Sequence, residues 1–143
     1  MPSDIDSALR ELVVQRAEYR CEYCLLHEED SYLPHQIDHI ISLKHGGLTA
    51  PENLAYSCVR CNAWKGTDLG SVSALNGQLV RFFNPRQDRW DDHFRLHGAV
   101  IEPLTPEGEV TARILRLNLD KRVVERRLLI AIGRYPGSAG RTG

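Results

Sequence analysis

Two Cys-x-x-Cys pairs constrain this chain more than any other feature. They are Cys21-Glu22-Tyr23-Cys24 and Cys58-Val59-Arg60-Cys61, with 33 residues between Cys24 and Cys58 and no other cysteine in the sequence. Two such knuckles supply four thiolates, the ligand set of a closed tetrahedral Zn²⁺ site. In an intracellular chain the pattern points to metal rather than to disulfides. A redox dithiol of the thioredoxin kind needs one pair in a βαβ setting, which is absent here. Zinc held by four protein thiolates has no open position, so the ion is expected to be scaffold. Structural zinc of this type contributes on the order of 10 kcal/mol of apparent binding energy to folding. It ties the segment ending at Cys21 to the segment starting at Cys58 and pins everything between them.

Length and composition set wide bounds. The 143 residues suit one domain, and 42% apolar with 26% charged residues are globular rather than disordered proportions. No apolar run approaches the ~20 residues that span a bilayer. The acidic start "MPSDIDSALRELVVQR" lacks the basic-then-apolar form of a signal peptide. A cytoplasmic setting, bacterial or phage, with no membrane partner is expected. The net charge of −1 does not mark a nucleic-acid binder, but its distribution is uneven. Residues 1–30 are acidic, whereas residues 111–143 hold eight Lys or Arg against Asp120 and Glu125.

Periodicity sketches the elements. Ile5, Leu9, Leu12, Val13 and Ala17 form a helical stripe over residues 4 to about 20, with Ser3 or Asp4 as the cap. Residues 35–43 read as a strand, "KHGGLTAPEN" as a loop, "NLAYSC" as a second strand and "CVRCNAWKG" as the start of a helix. Beyond residue 80 the pattern suggests short strands and then a basic amphipathic helix over Asn118–Ile132. Leu119, Val123, Val124, Leu128 and Ala131 are expected on its buried side, with Gly133 ending it. The domain is expected to span 1–135, with a core at 21–70 and an extension at 80–135. "PGSAGRTG", residues 136–143, is expected to be a disordered tail.

The stretch "QIDHIISLKHGG" is anomalous for a strand, because Asp38 and His39 sit among Ile37, Ile40 and Ile41. Either residue alone would be read as structural, Asp38 on backbone amides of the "KHGG" loop and His39 as a core histidine. Together, inside a zinc-pinned strand–loop–strand–helix with "PENL" and "CVRCNAWK", they mark a resemblance. Cys21 to Lys65 resembles the HNH endonucleases, in the branch stapled by Cys-x-x-Cys on either side. The resemblance implies an α+β fold with a ββα-metal core, an N-terminal helix and a C-terminal extension. It implies His39 as the general base, Asp38 and Asn62 as ligands of a catalytic divalent cation, and Asn53 as the residue that braces the loop. Asn62 stands where many members have His. The products it implies carry 5′-phosphate and 3′-hydroxyl ends.

The chemistry is consistent with that resemblance. Phosphodiester hydrolysis needs a base for water and charge stabilisation at phosphorus and at the leaving oxygen. An imidazole suits the first task, worth ~10²–10⁴-fold. A carboxylate with an amide oxygen is a hard donor set that suits Mg²⁺ or Mn²⁺. Asp38 and His39 point to opposite faces of a regular strand, so the strand is expected to end or bulge at 38–40. Lys65, Arg60, Lys44, Arg81 and Arg86 are candidate phosphate contacts. No base-reading motif is present, so the expected substrate is duplex DNA with weak sequence specificity, cut by a possible homodimer. The alternative is a non-catalytic, zinc-scaffolded nucleic-acid-binding module. A zinc deaminase is disfavoured, because it needs His-x-Glu, Pro-Cys-x-x-Cys and an open zinc position.

Overall fold

The computed structural model describes residues 5–137. The fold is α+β, built from helices and short antiparallel strand pairs. The chain divides into two compact units. The first is Met1–Leu69 with Asn84–Gln87, and the second is Gly70–Phe83 with Asp88–Gly143. Of the expected tail, only Pro136 and Gly137 lie among the described residues.

The first unit opens with α1, Ser7–Arg16, whose N-cap is Asp6. The Asp6 carboxylate accepts the Leu9 amide at 2.8 Å and satisfies one of the amides that the first turn leaves without a partner. The helix is shorter than its apolar stripe suggested, because Glu18 and Tyr19 adopt φ of 54° and 63° and turn the chain toward Cys21. Val13, Val14 and Ala17 are buried against Leu54 and Tyr56, with Leu9 and Ile37 packed at the margin. Each fully buried aliphatic side chain of this kind contributes about 1.5–3 kcal/mol. Leu12, expected on the stripe, remains 44% exposed.

Strands β1, Gln36–His39, and β2, Leu54–Ser57, pair antiparallel, with Ile37 opposite Tyr56 and His39 opposite Leu54. Alternation sends Ile37, Leu54 and Tyr56 toward α1. Gln36, Asp38, Ala55 and Ser57 face the other way, toward α2, Val59–Lys65. Cys58 is the N-cap of α2, and its sulfur accepts the Cys61 amide at 3.4 Å.

The second unit contains two hairpins, β3 Gly70–Val72 with β4 Leu79–Arg81, and β5 Phe94–His97 with β6 Val100–Pro103. Between them lies α3, Trp90–His93, and after them α4, Pro106–Ile114, capped by the Thr105 hydroxyl. Phe83, Phe94, Ile101, Val110, Leu115 and Leu117 are buried, and Phe83 and Phe94 meet edge to face at 5.4 Å.

The last helix, α5, Asp120–Ala131, is rotated from the expectation, with Leu119 and Val123 only half-buried. Val124 and Leu128 are 47% and 64% exposed, whereas Arg122 and Arg126 are each 3% exposed. Their guanidiniums are held by carbonyls: Arg122 donates to Leu115 and Arg116 at the end of α4, and Arg126 donates to Ala99 and to the Asn118 side chain. The end of α4 and the β5–β6 turn thus present carbonyls to this face, and the five-donor guanidiniums satisfy them.

Candidate functional site

The staple forms from both knuckles. All four sulfurs are buried and lie within 4.8 Å of one another, with Cys24 Sγ 3.7 Å from Cys58 Sγ. Zn–S bonds of about 2.3 Å in a tetrahedron place sulfurs roughly 3.8 Å apart, so Zn²⁺ fits this cage. The Cys24 amide points at the Cys21 sulfur at 3.4 Å, as the Cys61 amide does at that of Cys58. Burial pushes the Cys21 and Cys61 thiols up, so a bound cation is what would hold them as thiolates.

The staple also anchors its surroundings. Within the first knuckle, the Glu22 amide donates to the Tyr56 carbonyl, the Glu22 carboxylate accepts the Tyr56 amide, and Arg86 pairs with the same carboxylate. Tyr23 is fully buried, and its hydroxyl donates to Asp38 Oδ2 at 2.9 Å.

Asn53 sits where the strand–loop–strand closes, and it makes three hydrogen bonds. Its Oδ1 accepts the Ile41 amide at 2.9 Å, and its Nδ2 donates to the Ile41 and Leu48 carbonyls at 2.8 Å each. The Asn53 main-chain carbonyl accepts the Ile40 amide, so this residue clamps the chain leaving β1 to the chain entering β2. Gly47 is required beside it. A Cβ there would lie 1.7 Å from the Ile41 carbonyl oxygen and 2.8 Å from Asn53 Nδ2.

His39 ends β1, half-buried, with Nε2 2.9 Å from the Thr49 hydroxyl of the same loop. No bulge interrupts β1: the pairing is regular from Gln36 to His39, where the strand stops. The distortion expected to bring Asp38 and His39 to one centre is therefore not present as a bulge. The two side chains go opposite ways, His39 to Thr49 and Asp38 to Tyr23 and Lys65.

Lys65 departs furthest from the sequence expectation. It was a candidate phosphate contact, yet its side chain is 2% exposed. Its ammonium donates to Asp38 and to the carbonyls of His39 and Ile40, at 3.1 to 3.3 Å. Burial raises the pKa of Asp38, and Lys65 and Tyr23 oppose that rise. The helix positions Lys65 one turn after Cys61, a zinc-facing residue, which points it inward. That spacing was a usable signal in the sequence. Asn62 lies on the same side and donates to Gln36 Oε1, two residues before Asp38 on the same strand face. Gln36, Asp38 and Asn62 thus share a strand–helix face carrying oxygen donors. As arranged, the set does not fit a divalent cation, because both Asp38 oxygens already face the Lys65 ammonium and one also holds Tyr23.

The other basic candidates divide. Lys44 is exposed in the turn Leu43–His45, and Arg60 is half-buried on α2. Arg86 is paired with Glu22 in the first unit, and in the second unit Arg81 makes a two-pronged pair with Asp88 at 2.7 and 3.1 Å. Of the five, Lys44 is exposed, Arg60 half-buried, Arg81 and Arg86 are in ion pairs, and Lys65 is buried. His35 is packed, edge-on against Tyr56, with Nε2 at the Leu26 carbonyl.

Residues 21–68, which carry the four-cysteine cage, the braced loop and the strand-end histidine, match the model of the HNH endonuclease family. Among curated proteins, the chain is similar to the Septu protein PtuB of Bacillus thuringiensis. They are 30% identical over 122 residues, covering 82% of this chain and 44% of that protein. The chain thus spans less than half the length of the curated relative it matches. No solved structure matches it significantly. HNH nucleases use a divalent metal. Among the described residues, no helix is long and apolar enough to cross a membrane.

Proposed function

We propose that this chain is an endonuclease that hydrolyses DNA phosphodiester bonds, with His39 as the general base. The observation that carries the proposal is the HNH match over residues 21–68, with His39 at the end of β1 in a loop clamped by Asn53. In this role His39 accepts a proton from the attacking water, a step typically worth ~10²–10⁴-fold. Asn53 holds the backbone on either side of the loop and so fixes where the imidazole stands. Lys44 and Arg60 are the cations proposed to meet the phosphate backbone of duplex DNA, read with little sequence preference. Dependence on a divalent cation, Mg²⁺ or Mn²⁺, belongs to the proposal as the habit of HNH nucleases. Asn62 is a proposed ligand of that ion, and Asp38, the other ligand the resemblance implies, is engaged by Lys65.

The test is cleavage of supercoiled plasmid by zinc-loaded wild type and His39→Ala, in EDTA and in Mg²⁺, Mn²⁺ or Ni²⁺. Metal-dependent nicking that disappears in His39→Ala is the expected result. A folded, zinc-loaded protein that retains plasmid in a gel shift but cuts under no metal would replace the nuclease with a nucleic-acid-binding module.

A further inference from the structure

Thr49 holds the ring of His39 by one nitrogen. Nε2 stands 2.9 Å from the Thr49 hydroxyl, and both residues are half-buried. Among the described residues, Nδ1 of the same ring has no hydrogen-bond partner. A neutral imidazole carries one N–H and one lone pair, so a partner on one nitrogen decides what the other nitrogen offers.

Thr49 is itself fixed from both sides by one residue. The Asn53 side chain donates to the Leu48 carbonyl at 2.8 Å, and the Asn53 amide donates to the Ala50 carbonyl at 2.9 Å. The other two side-chain bonds of Asn53 go to Ile41, the second residue after His39. The register of the hairpin supplies the opposite end, with His39 across from Leu54, the neighbour of Asn53. Within the loop, the Gly47 amide donates to the Ser42 carbonyl at 2.9 Å. The hydroxyl of Thr49 and the ring of His39 are therefore both placed from Asn53.

We propose that Thr49 is a positioning residue that accepts the Nε2–H of His39, fixes that tautomer and ring orientation, and leaves the Nδ1 lone pair as the base. The inference rests on the nuclease reading for the task of His39, and deepens it by naming the reacting nitrogen and the group that selects it. The opposite polarity, with the hydroxyl donating to Nε2, puts the proton on Nδ1 and leaves the ring no free lone pair. A base in that state must first break its bond to Thr49. As an acceptor, Thr49 also stays matched after proton uptake, because both nitrogens of the imidazolium donate. In the step itself, a water proton passes to Nδ1 while the water oxygen bonds to phosphorus. The bond from phosphorus to the leaving oxygen breaks, and that oxygen takes a proton from solvent.

The tautomer is read without DNA, by long-range ¹H–¹⁵N NMR of the zinc-loaded, ¹⁵N-labelled protein at alkaline pH. The His39 signals are assigned by their absence in His39→Ala. Wild type should show the Nε2–H form. Thr49→Val keeps the shape and removes the hydroxyl, and should raise the ratio of Nδ1–H to Nε2–H form about fivefold, the effect of one ordinary hydrogen bond. Thr49→Ser should restore the wild-type ratio. A wild-type ring in the Nδ1–H form, or a ratio that Thr49→Val leaves unchanged, overturns the proposal.

The Ile40 and Ile41 amides, both held by Asn53, separate positioning from bracing. In Thr49→Val they should exchange within about twofold of the wild-type rate. Acceleration as large as in Asn53→Ala would make Thr49 part of the brace and overturn its positioning role. In plasmid nicking, Thr49→Val should lower kcat about ten- to a hundredfold with KM within about twofold of wild type, and Thr49→Ser should recover it. A wild-type kcat in Thr49→Val overturns the proposal. Plasmid left uncut by wild type is the failure of the nuclease reading alone, and the NMR ratio then still decides whether Thr49 sets the tautomer.

Discussion

Replacing Asn53 by Asp should damage the loop more than replacing it by Ala, although Asp is the closer match in shape. Asn53→Ala removes three hydrogen bonds, from the Ile41 amide at 2.9 Å and to the Ile41 and Leu48 carbonyls at 2.8 Å. At ~0.5–1.5 kcal/mol each, and with water able to replace part of them at a half-exposed site, the loss is about 2 kcal/mol. Asn53→Asp keeps the acceptor for the Ile41 amide. It converts the amide nitrogen, however, into a charged oxygen facing two carbonyl oxygens. Two attractive contacts become repulsive, and the cost rises to about 3 kcal/mol or more. Amide hydrogen exchange at Ile40 and Ile41 reads this locally, since both amides end on Asn53. Exchange should accelerate about 30-fold in Asn53→Ala and more than about 100-fold in Asn53→Asp. Zinc content should be unchanged in both. An Asp variant protected as well as wild type, or better than the Ala variant, would refute the reasoning.

Two further outcomes follow from the same geometry. Gly47→Ala drives a Cβ to 1.7 Å from the Ile41 carbonyl oxygen and onto the Asn53 amide, so the loop must shift. Thermal unfolding of the zinc-loaded variant should report about 3 kcal/mol of lost stability, and a change below about 0.5 kcal/mol would contradict the contact. Removing zinc with a strong chelator, or substituting Cys61→Ser, should unfold the stapled unit as seen by circular dichroism, with recovery on Zn²⁺ but not on Mg²⁺. Because burial holds the Cys21 and Cys61 thiols protonated without metal, zinc uptake must release protons. The apparent zinc affinity should therefore rise with pH and fall on acidification, and a pH-independent affinity measured with a colorimetric chelator would count against the four-thiolate cage.

What was legible in the sequence is what chemistry ties to fixed spacing. Four cysteines in two knuckles leave one way to make a closed tetrahedron, and the bracing role of Asn53 was readable only through the resemblance to the HNH motif. The last helix was not legible by the same means. Apolar spacing in α5 was taken to mark its buried face, but Arg122 and Arg126 occupy that face because carbonyls of other segments await donors there. Those carbonyls belong to the end of α4 and to the β5–β6 turn, and their need for partners is a property of the tertiary arrangement, invisible to periodicity.

The polar pair in the first strand shows the same limit from the other side. Asp38 and His39 looked like one constellation because they are adjacent in sequence. Adjacency on a strand means opposition in space, and the regular β1–β2 register keeps them opposed. Asp38 belongs instead with residues distant along the chain, Tyr23 in the first knuckle and Lys65 one turn beyond the second. The zinc cage brings those two to Asp38: Tyr23 lies between two thiolates of one knuckle, and Lys65 shares a helix face with a thiolate of the other. A buried carboxylate supported by both halves of the staple couples the structural metal to the strand that carries His39. Loss of zinc would therefore remove the partners of Asp38 as well as the clamp, leaving a buried charge without compensation. The staple and the candidate catalytic strand form one cooperative unit, which is why the two polar residues can stand in a strand that burial alone would have filled with apolar side chains.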